Sequence, residues 1–526
     1  MHDTPSSAPR ASVSGRTVAV GLDLGTSGLK GVAIRADGTI AARATAAYPT
    51  ARPLPGRAEQ DPAAWLAAMR SVVASLASDV DVTSWAGIGL SAMIPTLVAT
   101  DEDGEPLGPA MTWEDNRAEA QGTRLREALG AEDLYARTGQ WVDGRYLLPM
   151  ATWLRETGDG RAAGAAIAGA KDWLFGQLTG TMATDPSTAT GFGCYDLHAR
   201  AWDGAVIDAA FRLAGPSRPP RLPPIMPSSH AVPLTGRAAA ALGLPAGIPV
   251  VLGAADSVLA ARGLGVTEPG RVAYVAGTST VIMGVVRDPV GGPATDPAHR
   301  YLVTPLDRAG AHGLEMDLVA TGSAVRWLGT ELLGIPAGDE AEVWRLAEGL
   351  APGADGLLFL PYVGPGEQGA LWDPDLRGTL AGVTLAHTRA HVARALLDGI
   401  TLESRRCIAV LDALGGGRGD IVMSGPSVRS PAVTCALADA TGRRVRVTVD
   451  PDHPASAWGA AALALEATGA GSPPLPSLAD GVVPDPGAAA GWDALWRRFE
   501  ATRLALATAP PATSPPATPT RQEDHA

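Results

Sequence analysis

Apolar runs of two kinds, strand-like and helix-like, follow one another along this chain. Residues 17–24 form a short apolar run that carries one acid, Asp23, near its end and predicts a strand. Gly25-Thr26-Ser27-Gly28 predicts a turn, residues 29–35 a second strand, and Asp37-Gly38 a turn into a third over 40–46, a three-stranded meander. Helical spacing follows over 62–77. Further strands are predicted over 85–90 and 96–101, with an Asp-Gly turn at Asp103-Gly104. The opening pattern returns later as a strand over 271–276, the turn Gly277-Thr278-Ser279 and a strand over 281–287. Beyond it come a strand (357–360), a glycine-rich loop (364–369), a helix (387–411) and a strand (420–423). The turn Ser424-Gly425-Pro426, a helix (431–441), a strand (444–449), an alanine-rich helix (455–468) and an amphipathic helix (492–506) complete the chain.

The two Gly-Thr-Ser turns lie 252 positions apart in matching strand–turn–strand settings. That is a duplication on the scale of a domain. A tight glycine turn points backbone N–H groups outward into an anion-binding concavity, and Thr and Ser hydroxyls add donors. Two such turns facing each other across a cleft suit the phosphates of a nucleotide; ordinary β-hairpins are the plainer reading of the same residues.

Composition narrows the choice. The chain has 526 residues, enough for two large domains, and a net charge of −13. Such a balance argues against a nucleic-acid partner, which requires a basic face. No apolar run is long enough to predict a membrane span, and the first residues lack a basic-then-apolar signal pattern. Cys194, Cys407 and Cys435 form no CxxC pair, so a reducing, cytoplasmic setting is expected. Residues 1–15 and 508–526, rich in Pro, Ala, Ser and Thr, are expected to be disordered tails. Only Lys30 and Lys171 are lysines among 42 basic residues, which singles out both for inspection.

Several segments, in order, resemble the FGGY family of carbohydrate kinases, whose fold is shared with actin and the Hsp70 ATPases. Asp23-Leu24-Gly25-Thr26-Ser27-Gly28-Leu29-Lys30 is similar to the family's first phosphate motif. Glu59-Gln60-Asp61-Pro62 with Trp65, Trp113-Glu114-Asp115-Asn116-Arg117, Lys171-Asp172-Trp173-Leu174 with Leu178-Thr179-Gly180, Gly253-Ala254-Ala255-Asp256, and residues 378–398 resemble further family segments. The resemblance implies two duplicated α/β domains of ribonuclease H-like, actin-like ATPase type, with mixed sheets and flanking helices around a central cleft. A sugar- and phosphate-binding half is expected over 16–257 and a nucleotide-binding half over 258–507.

The implied reaction is phosphoryl transfer from ATP, with Mg²⁺, to a hydroxyl of a small sugar, ketose, aldonate or polyol. Asp256 is then the general base, and Asp23 the metal-side carboxylate. Gly25, Thr26, Ser27, Lys30, Gly277, Thr278 and Ser279 are expected on the phosphates, and Gly322, Ser323, Gly425, Ser427 and Val428 on the adenosine side. The acceptor is expected to meet Ile94, Pro95, Trp113, Asp115, Arg117, Trp141, Asp185 and Asp256. Taken alone, Asp256 reads as a helix N-cap.

Departures from the family pattern bear on the acceptor. Ile94-Pro95 stands where xylulose and gluconate kinases carry Met-His, Pro149-Met150 where Pro-Lys is usual, and Gly366-Glu367-Gln368 where Gly-Glu-Arg is usual. Gly425-Pro426-Ser427 replaces three glycines, and Trp141, Asp143, Arg145 and Tyr146 form an unusual aromatic and charged group. These changes imply an acceptor other than simple D-xylulose. The alternatives are a kinase for an unusual, non-pentulose substrate and a catalytically weakened sugar- or nucleotide-binding regulatory homologue. A small-molecule substrate is the expected partner, with neither nucleic acid nor membrane, and a homodimer is allowed.

Overall fold

The structure is a computed structural model that describes residues 17–215, 218–287, 296, 298–364, 369–373, 375–415 and 417–507. The two expected disordered tails and Gly366, Glu367 and Gln368 lie outside the described residues.

Two six-stranded mixed sheets dominate. In the first, Val18–Leu24 pairs antiparallel with Gly28–Arg35, which pairs antiparallel with Ile40–Ala47. On its other edge Val18–Leu24 runs parallel to Trp85–Ala92, and that strand parallel to Pro249–Ala255. The second sheet repeats this plan. Val272–Ala276 pairs antiparallel with Thr280–Arg287, which pairs antiparallel with Ala311–Leu318. On its other edge it runs parallel to Ile421–Ser424, which runs parallel to Val445–Val447. The duplication read from two tripeptides is therefore a duplication of sheet topology. Each Gly-Thr-Ser turn joins the central strand to its antiparallel neighbour.

Alternation of side-chain size explains how the first sheet is covered. On one face of Val18–Leu24, Val18, Val20, Leu22 and Leu24 pack with Trp65, Met69, Val72 and Leu76 of the helix Pro62–Asp79. The other face carries Ala19 and Gly21, and neighbouring Trp85–Ala92 carries Gly87 and Gly89 in the same alternation, with Ala86 brought to that side by a shift in register. Small side chains let a helix approach closely. That helix is the alanine-rich Ala455–Thr468, which belongs by sequence to the second half. It also crosses Asp256–Gly263. A Cβ on Gly21 would lie 1.8 Å from the Ala457 carbonyl oxygen, and one on Gly459 2.1 Å from that of Leu259. Only glycine fits either crossing.

A second tie between the halves lies near Tyr135. Its hydroxyl donates to the Tyr301 carbonyl at 2.6 Å, and the Gln140 amide donates to the Val303 carbonyl at 3.0 Å. No helix among the described residues is long and apolar enough to cross a membrane.

Candidate active site

Asp23, Ser91 and Asp256 occupy the carboxyl ends of the three parallel strands of the first sheet or the residue just beyond. This is where open α/β sheets bind ligands. Asp23 faces Lys30 across one ladder and Ser91 across the other, and the Ser91 hydroxyl donates to its Oδ1 at 2.8 Å. Burial raises the Asp23 pKa, partly offset by the Lys30 cation and the serine bond. Lys30 itself is exposed.

The first hairpin is braced from outside. Tyr48 donates to the Gly25 carbonyl at 2.5 Å, and Gln60 to the Thr26 carbonyl at 2.7 Å. The Trp113 indole donates to Thr26 Oγ1 at 3.0 Å, which leaves that hydroxyl's own proton to donate. Ser27 is exposed. In the second hairpin Gly277 and Thr278 are exposed, and Ser323 donates to the Thr278 carbonyl through its N–H at 3.0 Å. Gly322 approaches so closely that a Cβ there would lie 2.2 Å from the Gly277 oxygen. Gly322 and Ser427 share one apolar slot with Trp344, Leu397, Met423 and Leu437. Gly425 has φ near 100°, and a Cβ there would lie 1.9 Å from the Ala276 oxygen. Pro426 opens a short 3-10 turn, Pro426–Arg429, that includes Ser427 and Val428.

Asp256 is the first residue of its helix and does not cap it. Among the described residues its Oδ1 accepts only the N–H of Ser257, at 2.9 Å. Burial pushes its carboxyl well above the usual carboxylate range, and the negative charges of Asp23, Glu315 and Asp317 push the same way. Glu315 and Asp317 come from the second half, two residues apart on one face of Ala311–Leu318. Glu315 accepts the Thr304 hydroxyl at 2.8 Å; burial, then Asp317, raises it to about 8. Burial raises Asp317 to about 6 against the pull of Arg145, and its buried Oδ1 has no hydrogen-bond partner among the described residues. Arg145 is gripped by Asp143, with Nε 3.0 and 3.1 Å from the two carboxylate oxygens. The unusual Asp143, Arg145 and Tyr146 group therefore reaches the acids facing Asp256. Glu315 and Asp317 were missed by motif reading; the available signal was two acids at i and i+2 in an otherwise buried strand.

Two of the expected acceptor carboxylates are enclosed by protein partners. Asp115 is 0% exposed, and its oxygens accept the Ala58 N–H at 2.8 Å and the Arg117 Nε at 2.8 and 3.0 Å. Arg117 also pairs with Glu59 at 2.8 Å and lies 5.1 Å over the Trp153 ring. This pair shapes the segment that carries Trp113 and has no carboxylate oxygen left for a ligand. Asp185, also 0% exposed, caps Pro186–Thr190. It accepts the hydroxyls of Ser187 (2.6 Å), Thr188 (2.7 Å) and Ser228 (3.1 Å) and lies 3.2 Å from Lys171 Nζ. Its influence on the site is indirect. Ser187 Oγ, donating to Asp185, accepts the Ala255 N–H at 2.9 Å and so holds the residue before Asp256. Lys171, singled out by composition, is the buried counter-ion of Asp172 and Asp185. Trp141 sits against His299, 4.8 Å between ring centroids, with the Arg126 guanidinium 5.3 Å from it. Ile94 and Pro95 are half-buried, and Pro95 lies beside Gly191.

Family comparison bears on the same residues. Residues 18–263 match the model for the FGGY family of carbohydrate kinases, N-terminal domain, and residues 272–468 that for the C-terminal domain. The chain belongs to the FGGY family of carbohydrate kinases. It is 29% identical over 467 residues to a gluconokinase of Bacillus subtilis, covering 86% of this chain and 87% of that protein. It is 31% identical over 443 residues to a glycerol kinase of Gloeobacter violaceus, covering 82% and 84%. The crystal structure of xylulose kinase from Rhodospirillum rubrum superposes with a TM-score of 0.80 at 31% identity, covering 93% of this chain and 99% of that one. The fold is thus that of the FGGY kinases, the actin-like ATPase type, and the protein is a sugar kinase of an ATP-dependent family. Three differently named relatives at nearly equal identity leave the acceptor to be argued from the site.

Proposed function

We propose that this FGGY kinase transfers the γ-phosphoryl group of ATP to a hydroxyl of a small neutral polyol or ketose, with Asp256 as general base. The observation that carries this reading is the Asp256 carboxylate. It is half-buried just past a strand end, bound among the described residues only to the Ser257 N–H, and made more basic by desolvation and neighbouring acids. The acceptor oxygen attacks the γ-phosphorus, the bond to the ADP oxygen breaks, and the acceptor proton passes to Asp256. The N–H and hydroxyl groups of 25–27 and 277–279 take the phosphates from the two halves, while Gly322, Ser323, Gly425, Ser427 and Val428 border the adenosine. Lys30 adds a cation beside Asp23. In this reading residues 16–257 form the acceptor and phosphate half and 258–507 the nucleotide half.

Among the described residues no group of three His, Cys, Asp or Glu side chains forms a metal cage. Asp23 is a single buried carboxylate whose Oδ1 is held by Ser91, a donor set that fits a hard cation retaining its waters and bound largely through phosphate oxygens. When bound, Mg²⁺ supplies charge neutralisation on the phosphates.

The choice of a neutral acceptor over an aldonate rests on the charges around Asp256. Asp23, Glu315 and Asp317 surround it, and the nearby Arg145 is already neutralised by Asp143. An acceptor bringing its own carboxylate would add negative charge to a group of acids that desolvation and mutual repulsion already push toward their protonated forms. The test is ADP release with Mg-ATP against ketoses, polyols and aldonates of matched length, with Asp256→Asn as control. Turnover with neutral acceptors that disappears in the variant is the expected result. Turnover fastest with aldonates would overturn the acceptor class, and turnover surviving in Asp256→Asn would overturn the base.

A further inference from the structure

A cavity of about 390 Å³ opens on the first half of the molecule, and none of its lining residues belongs to the cleft described above. Its size falls in the range of small-molecule sites, roughly 300–1,000 Å³. The floor is apolar, from Leu154, Ile167 and Phe211. The walls are not: Arg155, Arg218 and Arg221 all line it. None of these three guanidinium groups has a hydrogen bond or ion pair with a described residue.

A fourth arginine, Arg161, is buried and held by Asp159 at 2.8 and 2.9 Å and by Glu59 at 3.1 Å. The opposing charge is a single carboxylate, Glu102. Three cations facing one carboxylate around a cavity stand out in a chain of net charge −13. The wall that bears Arg221 is fixed. Its N–H donates to the Ala165 carbonyl at 2.9 Å, the Ile167 N–H donates to the Arg221 carbonyl at 3.1 Å, and Pro219 and Pro220 restrict the backbone before it. Guanidinium forks match phosphate oxygens in pairs, and an apolar floor accommodates the carbon part of an organic phosphate.

We propose that this cavity binds a small phosphate-bearing anion at a site separate from the ATP cleft. The proposal does not depend on which acceptor the kinase uses. Calorimetric titration of pyrophosphate into the full chain, with ADP kept saturating to fill the cleft, tests it. The wild-type chain should bind one pyrophosphate. The Arg155→Ala, Arg218→Ala, Arg221→Ala triple variant should bind at least about a hundredfold more weakly, because three charged hydrogen-bonding groups are removed together. Glu102→Gln should tighten binding. Unchanged ADP affinity and thermal midpoint in the triple variant show that it is folded. Absence of pyrophosphate binding in the ADP-saturated wild type would overturn the proposal. So would an equal loss on removing three arginines elsewhere, Arg35, Arg70 and Arg237, which would mean attraction to general surface charge.

Discussion

Replacing Ser187 by alanine should damage catalysis without touching any group that meets substrate. The hydroxyl is 2.6 Å from Asp185 Oδ2 and 2.9 Å from the Ala255 nitrogen, and the residue is 1% exposed. Asp185 loses little, since Ser228, Thr188 and Lys171 still surround it. The Ala255 N–H, on a residue 0% exposed, loses its side-chain partner, at a cost of about 1–3 kcal/mol. Against a typical folding stability of about 5–15 kcal/mol the protein stays folded. Catalysis is more sensitive, because Ala255 is the residue that aims Asp256. A displacement near 1 Å at the base costs on the order of 10²-fold. The expected outcome is a kcat lowered about 10- to 100-fold, a nearly unchanged KM for ATP and a thermal midpoint a few degrees lower. Steady-state kinetics and a thermal melt measure both. A lowered midpoint with an unchanged kcat would refute the positioning argument and leave Ser187 a purely structural residue.

Other expectations follow from the same charges and contacts. Because burial and acidic neighbours raise the Asp256 pKa, kcat should climb with pH along a limb above the ordinary carboxylate range, and Glu315→Gln should move that limb to lower pH. Glu315, at about 8 in the folded protein and lower when unfolded, contributes stability below its unfolded pKa that is lost as pH rises toward 8. Glu315→Gln should therefore flatten the melting temperature against pH between about 5 and 8. Lys171→Met should cost about 3–5 kcal/mol, read by urea denaturation, since Asp172 and Asp185 are left buried without a counter-ion. Gly459→Ala should destabilise by about 2–3 kcal/mol, although the same change in an exposed helix stabilises. A raised midpoint in that variant would refute the close crossing.

The two hairpins were legible because their signals are local. A Gly-Thr-Ser turn between two apolar runs is a self-contained pattern, and both copies sit at equivalent joints of the two sheets. The helix 455–468 was legible as a helix from its composition, but its place on the first sheet was not. That place follows from Ala19, Gly21, Ala86 and Gly89, whose small size reads in sequence only as weak strand propensity. The surroundings of Asp115 and Asp185 were not legible. Their motifs look like ligand-binding carboxylates, whereas their oxygens are saturated by Ala58, Arg117, Ser187, Thr188 and Ser228, partners visible only after folding. Glu315 and Asp317 belong to no motif, and their meaning depends on Asp256 and Arg145, far away in sequence.

The helix that closes the first sheet also sets a timetable. Trp458 donates its indole N–H to the Gly38 carbonyl, 420 residues earlier in the chain. At roughly 5–20 residues per second, a ribosome needs about 20–80 s to make the second partner after the first. During that interval the strip of Ala19, Gly21, Ala86 and Gly89 has no cover, and the amino-terminal half cannot finish folding as a unit. A fragment ending near residue 263 keeps that strip open permanently, so it should need a chaperone or precipitate, whereas supplying residues 264–507 in trans should restore it.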